Sequence, residues 1–406
     1  MAADWLKLAA ARHPDRIALQ RGTRSLTYAE LAERASAAAI ELRPGEPLAL
    51  EQTDALEFAF ALHACLLAGV PAVPVDPRLN ERERAVRIES ARRPAGPDVA
   101  TVMHTSGTTS APKRVELTYG NWLANASGSA IALGLDPAER WLCPMPLAHV
   151  GGLSILIRST IYATTVVLHE RFDTGAVLAE LSDPTSAITL TSLVPTMLAR
   201  LLDAGLQRPP TLRWALLGGG PTPAPLLERA AAAGVPVAPT YGMTEACSQI
   251  ATFGLPLEGT EIRLDGPDGE ILVRGPIVAP GALEDDGWLH TGDLGAFDER
   301  GRLAIAGRKA DTIVSGGENV APAEVESVLL EHPSVSDAGV FARPDPEWGE
   351  AVIAAIVPRD GGPVDPVALK AHCAARLAPF KIPKAFEQRA ELPRTASGKL
   401  LRRKLT

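Results

Sequence analysis

Short apolar runs alternate with longer amphipathic stretches over the first half of the chain. Thr27 followed by Glu30 forms a capping-box pattern that predicts the start of a helix. An apolar stretch predicts a second helix over residues 55–69. Apolar runs predict strands at 47–50, 70–75, 164–168, 186–191, 214–217 and 235–237. Strands alternating with helices in this way indicate an α/β fold with a doubly wound parallel sheet.

The pattern changes at about residue 259. Short alternating strands split by Gly, Pro and Asp predict an antiparallel, β-barrel-like subdomain over about 259–308. Beyond it the mixed α and β pattern resumes, with a helix predicted at 322–330 and strands at 335–342 and 351–357. We therefore expect a large N-terminal domain, residues 1–308, and a small α+β C-terminal domain, residues 309–406.

Composition narrows the class of protein. The 406 residues carry a net charge of -8, which argues against a nucleic-acid partner because such proteins need a basic face. The four cysteines lie far apart without metal-site spacing, and so low a content fits a reducing compartment. No apolar run reaches about 18 residues, and the N-terminus lacks the apolar core of a signal peptide. We expect a cytoplasmic protein without membrane insertion.

Hydroxyl groups, a glycine and a lysine are concentrated between Thr105 and Lys113, directly after the strand-like residues 99–103. Backbone N–H groups and hydroxyls in such a loop can donate to a polyphosphate, and the lysine neutralises its charge. The spacing differs from the GxxxxGK[ST] loop, so the ordinary phosphate-loop enzymes are not indicated. The alternative interpretation is a plain polar surface loop.

Two further motifs carry groups suited to a nucleotide. In the run PTYGMTE, Tyr241 offers a flat face for a purine, while Thr244 and Glu245 suit a phosphate and its Mg²⁺. A strand end followed by a helix N-cap is the alternative. In the run LHTGD, the carboxylate of Asp293 follows a Thr-Gly pair and can accept hydrogen bonds from ribose hydroxyls, although aspartate is also common in turns.

The last two motifs lie in the C-terminal quarter: residues 307–311 with 315–319, and residues 393–399. A lysine on a Gly-flanked loop near the chain end, Lys399, can swing onto a phosphate. Each of the five motifs is weak alone. Together, and in this order, they resemble the adenylate-forming superfamily of acyl-CoA synthetases, adenylation domains and luciferases, over nearly the whole chain.

The resemblance implies an ATP-dependent acid–thiol ligase that uses ATP, Mg²⁺ and CoA. It implies phosphate contacts from Thr105, Ser106, Gly107, Thr108, Thr109 and Lys113. It implies adenine and ribose contacts from Gly218, Gly219, Gly220, Tyr241, Gly242, Asp293 and Arg308. Catalytic roles go to Lys399, Thr244 and Glu245, with Glu245 as the Mg²⁺ ligand. The family usually has glycine where this chain has Ser110 and Arg114, so we expect altered phosphate-loop dynamics.

The same resemblance implies a mobile C-terminal domain. In the family this domain turns between acid activation and thioester formation, which are two half-reactions of one active site. Ala310 occupies the hinge position. The face that guides the thiol would include Ser315, Gly316 and Gly317.

A narrower resemblance concerns the acid. Residues 146–159 and 166–173, with 217–221 and 245–250, are similar to the o-succinylbenzoate–CoA ligase branch, which serves menaquinone biosynthesis. It implies that Arg158 binds the spectator carboxylate, since arginine recognises carboxylates bidentately. It also implies that His149 gates the acid site and that Ser248 and Gln249 line it. A surface arginine and a helix-terminal histidine are the alternatives for Arg158 and His149.

Other functions remain open at this stage. The chain could be another aryl or alkyl acid–CoA ligase, an adenylation enzyme that acts on a carrier protein, or an inactive nucleotide-binding relative. A homodimer is compatible with the sequence.

Overall fold

The computed structural model describes residues 4–105, 113–395 and 400–405. In these ranges the helices are α1 (Trp5–Arg12), α2 (Tyr28–Ala39), α3 (Ala55–Ala68), α4 (Glu81–Ser90), α5 (Tyr119–Leu133), α6 (Val150–Tyr162), α7 (Thr174–Ser182), α8 (Pro195–Asp203), α9 (Ala224–Ala232), α10 (Pro322–Leu330) and α11 (Pro366–Ala374). The strands are β1 (Ile17–Arg21), β2 (Arg24–Thr27), β3 (Leu48–Leu50), β4 (Ala72–Pro74), β5 (Val99–Thr105), β6 (Lys113–Thr118), β7 (Arg140–Cys143), β8 (Thr165–Leu168), β9 (Leu190–Leu193), β10 (Trp214–Leu217), β11 (Val237–Met243), β12 (Ser248–Thr252), β13 (Leu255–Pro256), β14 (Glu261–Asp265), β15 (Glu270–Arg274), β16 (Leu289–Phe297), β17 (Leu303–Arg308), β18 (Ile313–Ser315), β19 (Glu318–Val320), β20 (Val335–Asp345), β21 (Gly349–Pro358) and β22 (Ala385–Gln388).

Two sheets form the larger part of the molecule. The first has nine strands in the order β13-β12-β11-β10-β9-β7-β8-β1-β2. Its six central strands, β11 to β1 in that order, are parallel, and antiparallel strands lie at both ends. The second sheet, β3-β4-β5-β6, is parallel except for β6. The predicted α/β class with doubly wound sheets is confirmed.

The predicted helix boundaries have visible local causes. At the start of α2 the Thr27 hydroxyl accepts the Glu30 N–H at 3.2 Å, and the Glu30 carboxylate accepts the Thr27 N–H at 2.8 Å, so the capping box is present. Helix α3 begins after Asp54, which accepts two N–H groups of the first turn. It ends at Gly69, whose φ of +67° is in the left-handed region.

Two strand predictions and one alternative interpretation need correction. The run predicted as a strand at 186–191 begins with a short 3-10 turn, Pro184–Ser186, because Asp183 caps that turn, and β9 starts only at Leu190. The strand expected at 235–237 instead starts at Val237 and continues through Met243. The segment containing Asp293 is not a turn but part of β16. A glycine at φ +67°, Gly292, lets that strand bulge while it pairs on both sides.

The region expected to be barrel-like is a four-stranded antiparallel sheet, β14-β15-β16-β17, in which β14 and β17 are the edges. The C-terminal part forms a sheet β19-β18-β21-β20, with β22 beside β21, packed against α10 and α11. The apolar cores separate between Leu303 and Ile313: among the described residues, no buried apolar cluster includes members from both sides of that segment. In the described ranges, no helix is long and apolar enough to cross a membrane.

Candidate active site

The candidate site lies at the carboxyl ends of the parallel strands of the nine-stranded sheet. Strand β8 lies on one side of β7, and the next strand, β9, lies on its other side, so the order in which strands are added to the sheet reverses at β7. Ligands of open α/β sheets bind in the crevice outside such a reversal. Segments that follow β7, β10 and β11 carry His149, Gly218 and Thr244, and the topology therefore brings three separate motifs to one edge.

Close backbone packing explains two of the glycines. A Cβ atom on Gly242 would lie 1.7 Å from the Ser248 carbonyl oxygen, and one on Gly218 would lie 2.5 Å from the Thr240 hydroxyl. A larger residue at position 242 would therefore require the backbone to move, and one at position 218 would require the Thr240 side chain to shift. Gly219 has φ +77°, which only glycine adopts without strain. These glycines fix the path of the strand ends against each other.

The turn between β11 and β12 contains Thr244 and Glu245, in the 3-10 segment Thr244–Ala246. Cys247 and Ser248 follow with φ values of +54° and +93°, conformations that are strained for residues with side chains and that tend to occur at functional sites. In the described part of the chain, Glu245 forms no ion pair and no group of three or more His, Cys, Asp or Glu could hold a metal. Glu245 could supply one carboxylate to a Mg²⁺ ion whose other ligands are substrate phosphate oxygens and water, as in other Mg²⁺ sites with substrate phosphates.

Three residues predicted to contact adenine and ribose lie together. The Tyr241 hydroxyl donates to Asp293 Oδ2 at 2.8 Å, and Arg308 Nε lies 2.6 Å from Asp293 Oδ1. Asp293 is only 5% exposed, and β16 pairs it directly with Arg308 on β17. Burial, together with the neighbouring Asp293 charge, raises the pKa of Tyr241 well above its usual range, so the phenol stays protonated. In this cluster both oxygens of the Asp293 carboxylate therefore have a protein partner.

The phosphate-loop prediction falls partly outside the described residues. Thr105 ends β5, directly opposite Lys113 at the start of β6, so these two residues form the base of the loop. Ser106, Gly107, Thr108, Thr109 and Ser110 lie outside the described residues. Arg114 donates to the carbonyls of Ser90, Arg93 and Pro94 and pairs with Glu116 at 2.9 Å. Its guanidinium therefore braces the segment before β5, and its φ is not positive.

Arg158 is buried at 1% exposure on α6, which excludes the surface alternative. Its Nη2 donates to Asn125 Oδ1, its guanidinium lies 5.9 Å from the Trp141 ring, and its Nε has no partner. Among the described residues no carboxylate lies within ion-pair distance of it. Burial lowers the pKa of Arg158, and Tyr162 and Cys247 are the neighbours that oppose this shift. Within the part of the chain that the structure describes, the Arg158 guanidinium is thus buried without a carboxylate partner.

Asn125 connects Arg158 to the next motif. Its Nδ2 donates to the Gln249 carbonyl at 2.9 Å, while its Oδ1 accepts from Arg158. Gln249 is 3% exposed, its Nε2 donates to Thr252 at 2.8 Å, and its Oε1 has no partner. Two of the predicted acid-binding residues, Arg158 and Gln249, are therefore brought together beneath the strained turn that contains Ser248.

His149 lies at the other end of α6 as its N-cap residue. Its Nε2 lies 3.2 Å from Asp76 Oδ2, and Asp76 is also paired with Arg78. His149 and Arg158 are nine positions apart, which corresponds to about 13 Å along a helix that rises 1.5 Å per residue. His149 therefore lies at the start of α6 and Arg158 in its last two turns, and the two predicted acid-site residues do not form one cluster.

Comparison with known families identifies the chain. Residues 6–93 and 89–283 match the AMP-binding enzyme family, and residues 324–399 match the AMP-binding enzyme C-terminal domain. The chain belongs to the AMP-binding enzyme family. The adenylate-forming resemblance inferred from the motifs is confirmed.

Relatives of this AMP-binding enzyme include the 2-succinylbenzoate–CoA ligase of Bacillus licheniformis, which is 40% identical over 99% of each chain. The o-succinylbenzoate CoA synthetase of Bacillus subtilis has been solved with the acyl-adenylate intermediate OSB-AMP; it is 38% identical, with a TM-score of 0.90 over 99% of this chain and 98% of that one. The same enzyme with ATP and magnesium gives 38% identity and a TM-score of 0.87 over 99% of each chain. The alignment with the B. licheniformis ligase runs over 476 positions, so this 406-residue enzyme has at least 70 gap positions in it.

The residues predicted for the hinge and the thiol-guiding face of the AMP-binding enzyme follow Arg308 in the chain. Ala310 is exposed in the 3-10 segment Lys309–Asp311, between the two sets of cores. Ser315 is buried, and Gly316 and Gly317 form the β18–β19 turn with φ values of +62° and +85°. Lys399 lies outside the described residues.

Sequence reasoning missed Asp76, Asn125 and Trp141, each of which contacts a predicted site residue. Asn125 lies on the buried face of α5, but Asn121 and Ser129 are polar and buried on the same helix, so polarity alone does not single it out. The pairing of Asp76 with His149 joins residues 73 positions apart on different sheets, and no local pattern marks it.

Proposed function

We propose that this enzyme is an ATP-dependent o-succinylbenzoate–CoA ligase of the cytoplasm, supplying menaquinone biosynthesis. It condenses the succinyl carboxylate with the α-phosphate of ATP, releases pyrophosphate, and then transfers the acyl group from AMP to the CoA thiol. The family membership and the names of the relatives support the reaction class. The single observation that supports a diacid is the buried Arg158, which has no carboxylate beside it among the described residues.

The nucleotide half of the mechanism uses the Tyr241, Asp293 and Arg308 cluster. Both oxygens of the Asp293 carboxylate are held, one by the Tyr241 hydroxyl and one by Arg308, so it can accept hydrogen bonds from ribose hydroxyls without a change of conformation. Gly218 and Gly242 let the backbone segments near Tyr241 pack closely, and this arrangement suits the binding of a planar adenine ring. Thr244 would donate to the α-phosphate.

Acid activation must bring two anions together. Mg²⁺ bound by Glu245 would neutralise phosphate charge when present, and Lys113 and Lys399 supply fixed positive charge on the protein. The transition state is then stabilised mainly by positioning and electrostatics. Pyrophosphate leaves once the carboxylate oxygen has bonded to the α-phosphorus.

The spectator carboxylate would bind at Arg158, with Gln249 and Ser248 beside it. A buried guanidinium without an acid is costly, and a bound carboxylate offsets this cost through a bidentate pair. If the acid lies along α6 from Arg158 towards His149, its reactive carboxylate points to the strand ends that carry the nucleotide motif. This arrangement explains why only one of its two carboxylates is activated.

We infer two units, residues 1–308 and 309–406, with Ala310 as the pivot. Separate apolar cores on the two sides of residues 304–312 support this division. The polar contacts across it include Lys309 with Glu270 at 2.7 Å and Asn319 with Asp268 at 3.2 Å. Exposed polar contacts of this kind contribute little, so the smaller unit can rotate, withdraw Lys399 and present Ser315, Gly316 and Gly317 to CoA.

The decisive experiment measures pyrophosphate release and CoA consumption with a panel of acids. The panel contains o-succinylbenzoate, 3-benzoylpropionate (the same keto chain without the ring carboxylate), benzoate and salicylate. We expect o-succinylbenzoate to have the highest kcat/KM by at least about tenfold over 3-benzoylpropionate, since a desolvated charge pair distinguishes them. Faster turnover of benzoate would overturn the substrate assignment, and absence of pyrophosphate release with every acid would overturn the ligase assignment.

A further inference from the structure

Asp76 has a set of contacts that no part of the reaction described above uses. It follows β4 in the second sheet and is 5% exposed. Its Oδ1 accepts the Arg78 N–H at 3.0 Å and Arg78 Nε at 2.9 Å, and its Oδ2 accepts Arg78 Nη2 at 2.6 Å. The fourth contact is His149 Nε2 at 3.2 Å. Because Arg78 already balances its charge, Asp76 can bind a neutral imidazole.

His149 occupies a position where the side chain normally serves the helix. N-cap residues are usually Ser, Thr, Asp or Asn, whose side chains accept N–H groups of the first turn. His149 makes no such hydrogen bond and its imidazole reaches Asp76 instead. A deprotonated carboxylate can only accept hydrogen bonds, so the contact requires the proton on Nε2. In the Nε2–H tautomer, Nδ1 is an acceptor.

Asp76 stays deprotonated at every relevant pH. Burial by itself would raise its pKa, but hydrogen bonds from Arg78 and His149 outweigh burial and hold the pKa well below its usual range. The Asp76 carboxylate can therefore accept a hydrogen bond from His149 Nε2–H throughout this pH range. Arg78 Nη2 lies 3.4 Å from the same nitrogen and competes with Asp76 only if the proton moves to Nδ1.

We propose that Asp76 is a positioning residue for His149, fixing its Nε2–H tautomer and its orientation at the N-terminus of α6 where the acid enters. The inference rests on the proposed function, because His149 matters to the acid only if the acid lies along α6. Asp76 itself touches neither acid nor nucleotide. The contact joins the two sheets of the larger unit, so it holds the mouth of the site in one geometry.

A double-mutant cycle tests this role. Asp76→Ala is expected to raise the KM for the acid about tenfold, the loss typical of one hydrogen bond to a charged group, with the KM for ATP unchanged. In a His149→Phe background the same change should alter the acid KM less than about twofold. Asp54→Asn is the matched control, since Asp54 also precedes a helix and pairs with an arginine, Arg21, but lies outside the site. Equal effects of Asp76→Ala in both backgrounds, or a parallel rise in the KM for ATP, would overturn the proposal.

A second measurement needs no substrate and therefore separates this proposal from the proposed function. Long-range ¹H–¹⁵N NMR of the imidazoles, assigned with His149→Gln, reports which ring nitrogen carries the proton. We expect Nε2–H in the parent and a detectable Nδ1–H population in Asp76→Ala. An Nδ1–H ring in the parent would mean that Arg78 donates to His149, and Asp76 would then have no positioning role. If the tautomer is as expected but o-succinylbenzoate is not turned over, only the substrate assignment fails.

Discussion

Replacing Arg158 with methionine is expected to stabilise the unliganded enzyme while damaging its use of the diacid. An uncompensated buried charge typically costs about 3–5 kcal/mol. Methionine removes that cost but leaves Asn125 Oδ1 without its donor, which costs about 1–3 kcal/mol, and loses the contact with Trp141. The difference predicts a gain of about 2 kcal/mol in the free energy of unfolding, within a range of about 0–4 kcal/mol.

Activity should change in the opposite direction. Loss of one side of a desolvated charge pair costs about 2–5 kcal/mol, so the KM for o-succinylbenzoate should rise by about 30-fold or more. Arg158→Lys should retain part of the affinity, because it keeps the charge but loses the bidentate fork. The KM for ATP should stay within about twofold, since Arg158 contacts none of the nucleotide-binding side chains.

The assay compares urea midpoints, without ligand, for the parent, Arg158→Met and Arg213→Met. Arg213 pairs at 2.9 Å with Glu139, which is 2% exposed, so its loss leaves an unpaired buried anion and should destabilise. The urea midpoints of the two arginine variants are thus expected to shift in opposite directions from that of the parent. If the urea midpoint of Arg158→Met falls as that of Arg213→Met does, Arg158 stabilises the fold, and the argument for a carboxylate ligand is refuted.

The remaining predictions concern single groups. Asp293→Asn should raise the KM for ATP about tenfold or more without changing the acid KM, because a charged acceptor for the ribose is lost; overlaying ATP titrations would contradict it. Glu245→Gln should raise the Mg²⁺ concentration for half-maximal activity about tenfold, and an unchanged Mg²⁺ curve would exclude Glu245 as a ligand. Lys399→Ala should lower pyrophosphate release about 100-fold and leave thioester formation from added acyl-adenylate nearly intact, whereas equal loss of both would exclude a role in one half-reaction only. Burial lowers the pKa of His63 to about 4, below the 6.5 of an unfolded histidine. The stability it contributes is therefore complete above pH 6.5 and is lost, up to about 3 kcal/mol, as pH falls towards 4. His63→Gln should flatten the fall of the urea midpoint over that range, and parallel curves would show that folding does not lower the pKa of His63.

The motifs could be read from the sequence because each is local. Tyr241, Asp293 and Arg308 were each predicted to contact the nucleotide, and the fold brings them into hydrogen-bond contact. A turn was the alternative interpretation for Asp293, and pairing with β15 and β17 makes that segment a strand. Long-range pairing therefore decided what the local pattern left open.

The acid site shows the opposite limit. The sequence of α6 is apolar on all sides, so it does not show whether Arg158 faces solvent or the core. Its only hydrogen-bond partner in the described residues, Asn125, is on another helix. Arg114 was expected to affect the phosphate loop, yet its guanidinium contacts backbone carbonyls of residues 90–94. In both cases the side chain was visible in the sequence and its partner was not.

The gap between Leu303 and Ile313 in the buried apolar clusters affects how the enzyme denatures. Because the clusters on its two sides share no member, the smaller unit can melt while the larger one keeps its buried surface. Unfolding by urea is therefore expected in two steps, with a protease-sensitive segment near residue 308 exposed after the first. The surviving fragment would keep Tyr241 and Asp293 but lack Lys399. Partially denatured enzyme would thus still bind AMP while being unable to activate an acid, so nucleotide binding alone is a poor measure of how much active enzyme a preparation contains.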